Sequence, residues 1–152
     1  MFDGVLHTDR ETLAHETAAR GTLRHEALHA QLHAERRTVL PYWLDEGLAQ
    51  RFAGEEGADH HRSWAMLVRG GMIIPFESVE GPFVEIGDPR DARLAYHQSL
   101  AIVRYLEATH GARAIPDAIA RADRGVAPDA LLREIAPELD RARFLAFLAQ
   151  LE

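Results

Sequence analysis

Two imidazoles four residues apart, His25 and His29, lie in the run Thr22-Leu-Arg-His25-Glu26-Ala-Leu-His29. On a helix this spacing puts both side chains on one face, so two ring nitrogens can converge on one cation. Zinc takes nitrogen ligands at about 2.0–2.1 Å in a tetrahedral arrangement, which such a pair can supply without strain. Glu26 follows the first histidine by one residue and points off the ligand axis. It can reach a water on the metal rather than the metal itself, the place of a general base in metal-assisted hydrolysis.

A catalytic zinc needs a third protein ligand. His33, Glu35, Asp45 and Glu46 are the candidates. His33 continues the same face but lies eight residues from His25, about 12 Å along a helix axis. A straight helix cannot bring all three histidines to one ion, and no glycine stands between His29 and His33 to break it. The third ligand must come from another segment. Glu46 follows a proline-marked turn, in Trp43-Leu-Asp-Glu46-Gly-Leu-Ala49, on a stretch able to run back beside the first helix. His25, His29 and Glu46 then form a His₂Glu set with a fourth position left for water.

These residues need two helices to position them. Apolar residues recur at helical spacing from about Asp9 to Glu35, with Thr8 or Asp9 as a cap and Gly21-Thr22 as a point of kinking or restart. Pro41 fits the first turn of a second helix over Tyr42 to Ala53, ended by Gly54. Trp43, Leu44, Leu48 and Phe52 are expected to be its core residues. A third helix runs from Asp59 to Arg69 and stops at Gly70-Gly71. Residues 72–90 carry Gly/Pro punctuation and read as an irregular loop with short extended pieces. Asp91 to His110 is an amphipathic helix closed by Gly111, with Leu100, Val103, Tyr105 and Leu106 inward. Two or three short helices follow, broken near Gly125 to Pro128 and at Pro137. Phe2 to Leu6 is expected to form one short edge strand. The chain is therefore mainly α, α+β at most: residues 1–8 a strand, 9–111 a metal-site core and 112–152 C-terminal helices of one domain. It is also compatible with being part of a longer protein.

Composition narrows the options. At 152 residues, 47% of them hydrophobic, the chain can bury a core of its own. A net charge of −7 argues against non-specific nucleic-acid binding, which needs a basic face. The chain has no cysteine, so a zinc ion would be held by histidine and carboxylate alone. No apolar run is long enough to span a membrane. No basic stretch followed by an apolar one marks a signal peptide, so a cytoplasmic place is expected if the chain is complete.

HEALH followed by WLDEGLAQRF resembles the gluzincin zinc peptidases, in particular the peptidase MA-like domains, in which an HExxH helix is followed by W-L-x-E-G-x-A. Met72-Ile-Ile-Pro-Phe76 and the segment Ala95 to Leu106 are similar to the same group, so the resemblance covers about Phe2 to Gly111. It implies a compact helical catalytic domain with one Zn²⁺ held by His25, His29 and Glu46, and Glu26 as the base. It implies that Tyr96 faces the metal and donates its phenol to the developing oxyanion, and that the substrate is a peptide or protein. The Gly-x-Met-Glu-Asn motif of many aminopeptidases is missing, so the resemblance does not imply an N-terminal exopeptidase. Asp45 and Gln50 could hydrogen-bond a ligand histidine from behind. His97 and Gln98 are weaker candidates for the wall beside Tyr96. His60-His61 reads as an exposed pair, and His7 as a residue near the cleft strand. Two other readings stay open: a zinc-binding protein without peptidase activity, and a metal-free helical interaction module.

Overall fold

The computed structural model describes residues 16–34, 39–54 and 58–151. Within them the chain is all helix and turn, with no strand. The expected strand over Phe2 to Leu6, the cap at Thr8 or Asp9, His7 and Glu35 lie outside the described residues. Seven α-helices are described: α1 (Glu16–Ala34), α2 (Tyr42–Ala53), α3 (Ala58–Gly70), α4 (Pro89–His110), α5 (Ala114–Asp123), α6 (Pro128–Ile135) and α7 (Arg141–Leu148). The mainly α expectation holds. Among the described residues, no helix is long and apolar enough to cross a membrane.

Helix α4 is the spine. Its start is fixed by Asp88, whose carboxylate accepts from the Arg90 amide at 2.8 Å, and by Pro89 at the first helical position. That cap moves the start two residues ahead of the expected Asp91. Gly111, at φ 78°, closes the helix where the sequence placed the stop. Leu100, Ile102, Val103 and Leu106 are fully buried along it. Tyr105 is buried as well, its hydroxyl donating to Glu138 at 3.1 Å.

Helix α2 lies hard against α4, and Gly47 is the reason it can. A β-carbon built on Gly47 would fall 2.5 Å from the Ser99 carbonyl oxygen and 2.7 Å from a Val103 methyl. A glycine inside a helix costs about 1 kcal/mol against alanine, so its presence fits a backbone contact that no side chain would allow. Pro41 is the residue before α2 rather than in its first turn, and its carbonyl accepts from Leu44 and Asp45. Trp43, Leu44 and Ala49 are fully buried. Leu48 is only partly buried, and Phe52 is 57% exposed, against expectation. Phe52 stands nine residues from Trp43, about two and a half turns, and so faces the opposite way.

Residues between α3 and α4 hold two single turns of 3₁₀ helix, Phe76–Val79 and Phe83–Glu85, in place of extended pieces. Gln98 anchors this loop from the buried side of α4. Its carbonyl accepts from the Ile74 amide at 3.0 Å, and its amide nitrogen donates to the Ile74 carbonyl at 2.8 Å. The short C-terminal helices break at Gly125, where φ is 90°, and between α6 and α7, as expected. Phe144 and Leu148 of α7 complete the core.

Helix α1 packs on α2 and runs without a break through Gly21-Thr22, contrary to the expected kink. Leu32 packs against the core, Leu23 is 46% exposed, and the most deeply buried of the described α1 side chains is that of His29.

Candidate metal centre

Along α1 the histidines recur every four residues, and a stripe of that spacing turns by about 40° per step around the axis. Asp45 and Glu46, adjacent on α2, point about 100° apart. The result is a staggered match: the first histidine faces Glu46, the last faces Asp45, and His29 between them touches both.

The distances follow that pattern. His25 Nε2 lies 3.4 Å from Glu46 Oε2, and His29 Nε2 lies 3.8 Å from the same oxygen. Rings 25 and 29 meet edge to face with centroids 4.8 Å apart. On the other side, His29 Nδ1 is 3.3 Å from Asp45 Oδ1, and His33 Nε2 is 3.1 Å from Asp45 Oδ2. The three donor atoms of His25, His29 and Glu46 all lie within 4.8 Å of one another. Ligands of a tetrahedral ion with bonds near 2.0–2.1 Å stand about 3.3 Å apart, so the trio needs little movement to close on zinc.

A second observation bears on whether a cation fits. Glu46 Oε2 is buried and has no hydrogen-bond partner, although it points at two imidazoles. A buried carboxylate oxygen without a donor is costly, and a cation between it and the rings removes that cost. The donor set, two imidazoles and a carboxylate with no thiolate, suits zinc.

Without a metal, charge does part of that work. Burial pushes the Glu46 carboxyl up, but the His25 and His29 imidazoles beside it outweigh burial and hold it at about 2. Burial pushes the His29 imidazole down, but the Asp45 and Glu46 carboxylates beside it outweigh burial and lift it to about 10. In the metal-free pocket both shifts favour the charged forms of His29 and Glu46.

The other residues singled out from the sequence fall into two groups. Glu26 and Tyr96 line the same cleft as the trio, a hollow of about 730 Å³. The Tyr96 phenol is held above its ordinary range by burial, then by the Glu46 charge and Tyr42, so it keeps its proton at neutral pH. Asp45 stands behind His29, as read from its position next to Glu46. The remaining three are placed differently. The Gln50 amide nitrogen serves two carbonyls, Glu46 at 3.1 Å and Tyr96 at 2.9 Å, in place of a ligand histidine. It ties the backbone of one site residue to that of the other. His97 and Gln98 do not line the cleft. The His97 carbonyl accepts from the Trp64 indole at 3.0 Å, and Gln98 is spent on the Ile74 backbone. His61 bonds the Leu151 carbonyl at 2.9 Å and stacks edge-on to Trp64.

Tyr42 was not singled out by motif. It lines the cleft, and its ring packs 5.7 Å from Phe83, which in turn meets Tyr96 edge-on at 4.8 Å. Burial, then the charges of Glu46, Asp45 and Glu85, raise its phenol. Its spacing of four from Glu46 was the available signal, since it puts both on one face of α2. Compared with known proteins, the chain matches no family model, no curated protein and no solved structure.

Proposed function

We propose that the chain is a zinc-dependent peptidase of gluzincin type, with His25, His29 and Glu46 as the metal ligands. The observation that carries this reading is the convergence of two imidazole nitrogens and a buried carboxylate oxygen that accepts no hydrogen bond, from two helices, in a cleft that also holds Glu26 and Tyr96. Zinc in that position would act as a Lewis acid and lower the pKa of water toward neutrality.

The chain's own groups do the rest. Glu26 takes a proton from the attacking water and later gives it to the leaving amine, so that water adds across the C–N bond. Tyr96, kept protonated by burial and the nearby Glu46 charge, donates to the carbonyl oxygen as it gains negative charge. Asp45 Oδ1, 3.3 Å from His29 Nδ1, is placed to favour the ring orientation in which Nε2 faces inward. Val39, Leu40 and Tyr42 give the cleft an apolar wall for a substrate side chain.

Glu26→Gln tests the reading. Zinc content should stay at one per chain, while hydrolysis of a peptide library falls by about 10²- to 10⁴-fold. Undiminished, chelator-sensitive hydrolysis in that variant would remove Glu26 from the role of base. A metal-free interaction module is the second reading, favoured by the imidazolium that His29 can form between two carboxylates. Zinc-free protein from a zinc-replete preparation would support it.

A further inference from the structure

We propose that His29, His33 and Asp45 form a second divalent-cation position, alternative to the one above and built on the other side of the same imidazole. The proposal rests on the zinc reading of the inner trio and extends it to residues that trio does not use.

Three observations carry it. Donor atoms from these three side chains lie within 4.8 Å of one another, the same bound that holds for the inner set. Asp45 faces both rings, Oδ1 at 3.3 Å from His29 Nδ1 and Oδ2 at 3.1 Å from His33 Nε2. Asp45 Oδ1 is also buried without a hydrogen-bond partner, so each trio contains one orphaned carboxylate oxygen. In a set of two nitrogens and a carboxylate, that is the atom a borderline cation such as Zn²⁺ or Co²⁺ would satisfy.

The two positions differ in access and exclude each other. The His33 side chain is 37% exposed and that of His25 is 16%, so an ion arriving from solvent meets the outer set first. A neutral imidazole offers one lone pair. His29 therefore ligates inward through Nε2 or outward through Nδ1. With the ion inside, Asp45 orients His29; with the ion outside, Asp45 becomes a ligand. The outer set is then an entry position, from which the ion passes inward when His29 exchanges one nitrogen for the other.

The test is Zn²⁺ affinity, read by competition with a chromophoric chelator, in the full chain carrying His25→Ala and in His25→Ala/His33→Gln. Glutamine can still donate to Asp45 but is a poor zinc ligand. The single variant should hold one Zn²⁺ more weakly than the unmodified chain, and the double variant should lose about tenfold or more beyond that. Equal affinity in the two variants, with the unmodified chain still binding, overturns this proposal alone. No zinc in the unmodified chain overturns the metal reading with it. Should the double variant fail to fold, ¹⁵N imidazole resonances of the single variant decide. A His33 signal that shifts on adding Zn²⁺ supports the outer position, and one that does not move overturns it.

Discussion

Helix α2 has two working faces, and they are built by opposite means. Toward α4 it presents Trp43, Gly47 and Gln50, and the backbones approach until no β-carbon fits at Gly47. Arg51, 3.3 Å from Glu107, fastens the far end of that contact. Toward α1 it presents Asp45 and Glu46 to a row of histidines, with Leu32 and Leu40 as the apolar part of the neighbourhood. One face is held by excluded volume and dispersion, which depend little on what is dissolved around them. The other is held in part by charge, which depends on protons, and it gathers donor atoms that could take a metal ion. The lesson is a division of labour: the α2–α4 contact is mostly close packing, whereas the α1–α2 contact places the histidines and carboxylates of the site against one another beside Leu32.

Gly47→Ala breaks the first face. In an exposed helix this change would stabilise by about 1 kcal/mol. Here the new methyl meets the Ser99 carbonyl, and a net loss of about 2–3 kcal/mol is expected in denaturant unfolding, with or without zinc. A neutral or stabilising result would show that the helices part freely. Removing the metal tests the second face. At zinc hundredfold above its dissociation constant, binding contributes about 2.7 kcal/mol. Chelation should therefore speed amide hydrogen exchange in α1 while leaving that of α4 nearly unchanged. Equal loss of protection in both helices would erase the distinction.

The third test is with pH, in the metal-free chain. Glu46 sits at about 2 when folded against an ordinary 4.5, so its contribution is present above 4.5 and fades as pH falls toward 2. His29 sits at about 10 against an ordinary 6.5, so its contribution is full below 6.5 and fades as pH rises toward 10. Docking of α1 should be firmest between about 4.5 and 6.5. Zinc reverses the alkaline side, because His29 must release a proton to bind it, and zinc affinity should rise with pH above 6.5. A zinc affinity that stays flat from pH 6.5 to about 9 would show that His29 does not carry that proton.

The scaffold and the site were not equally legible in the sequence. Helices came from local signals: Gly54, Gly111 and Gly125 each take a left-handed or open conformation where the sequence placed a stop. The inner trio was readable because i, i+4 geometry and a proline-marked turn leave few ways to gather His25, His29 and Glu46. What stayed hidden depends on contacts between elements distant in sequence. Nothing near Gln98 tells that its amide will serve Ile74, twenty-four positions away. Gly47 carries no local sign that Ser99 lies against it. Phe52 misleads for the same reason, since hydrophobicity says nothing of which way a residue on a nearly all-round buried helix will face. The His29–Asp45–His33 arrangement is a consequence of the helical drift of the stripe, and it becomes visible only once α1 is laid beside α2.

The Gln50 amide nitrogen donates one hydrogen bond within α2, to the Glu46 carbonyl, and one across to α4, to the Tyr96 carbonyl, and so joins the two helices behind the cleft. One carboxylate and one phenol are carried on a single stiff block made of α2 and α4. Both inner imidazoles and Glu26 ride on a separate lever. Sliding of α2 against α4 is opposed by the Gln50–Tyr96 bond and by the close approach at Gly47, so a change in the spacing of the two sets of groups would be a movement of α1 against α2. A covalent latch engineered between α1 and α2 would thus fix the spacing of the imidazoles and the Glu46 carboxylate without touching the block that carries Glu46 and Tyr96.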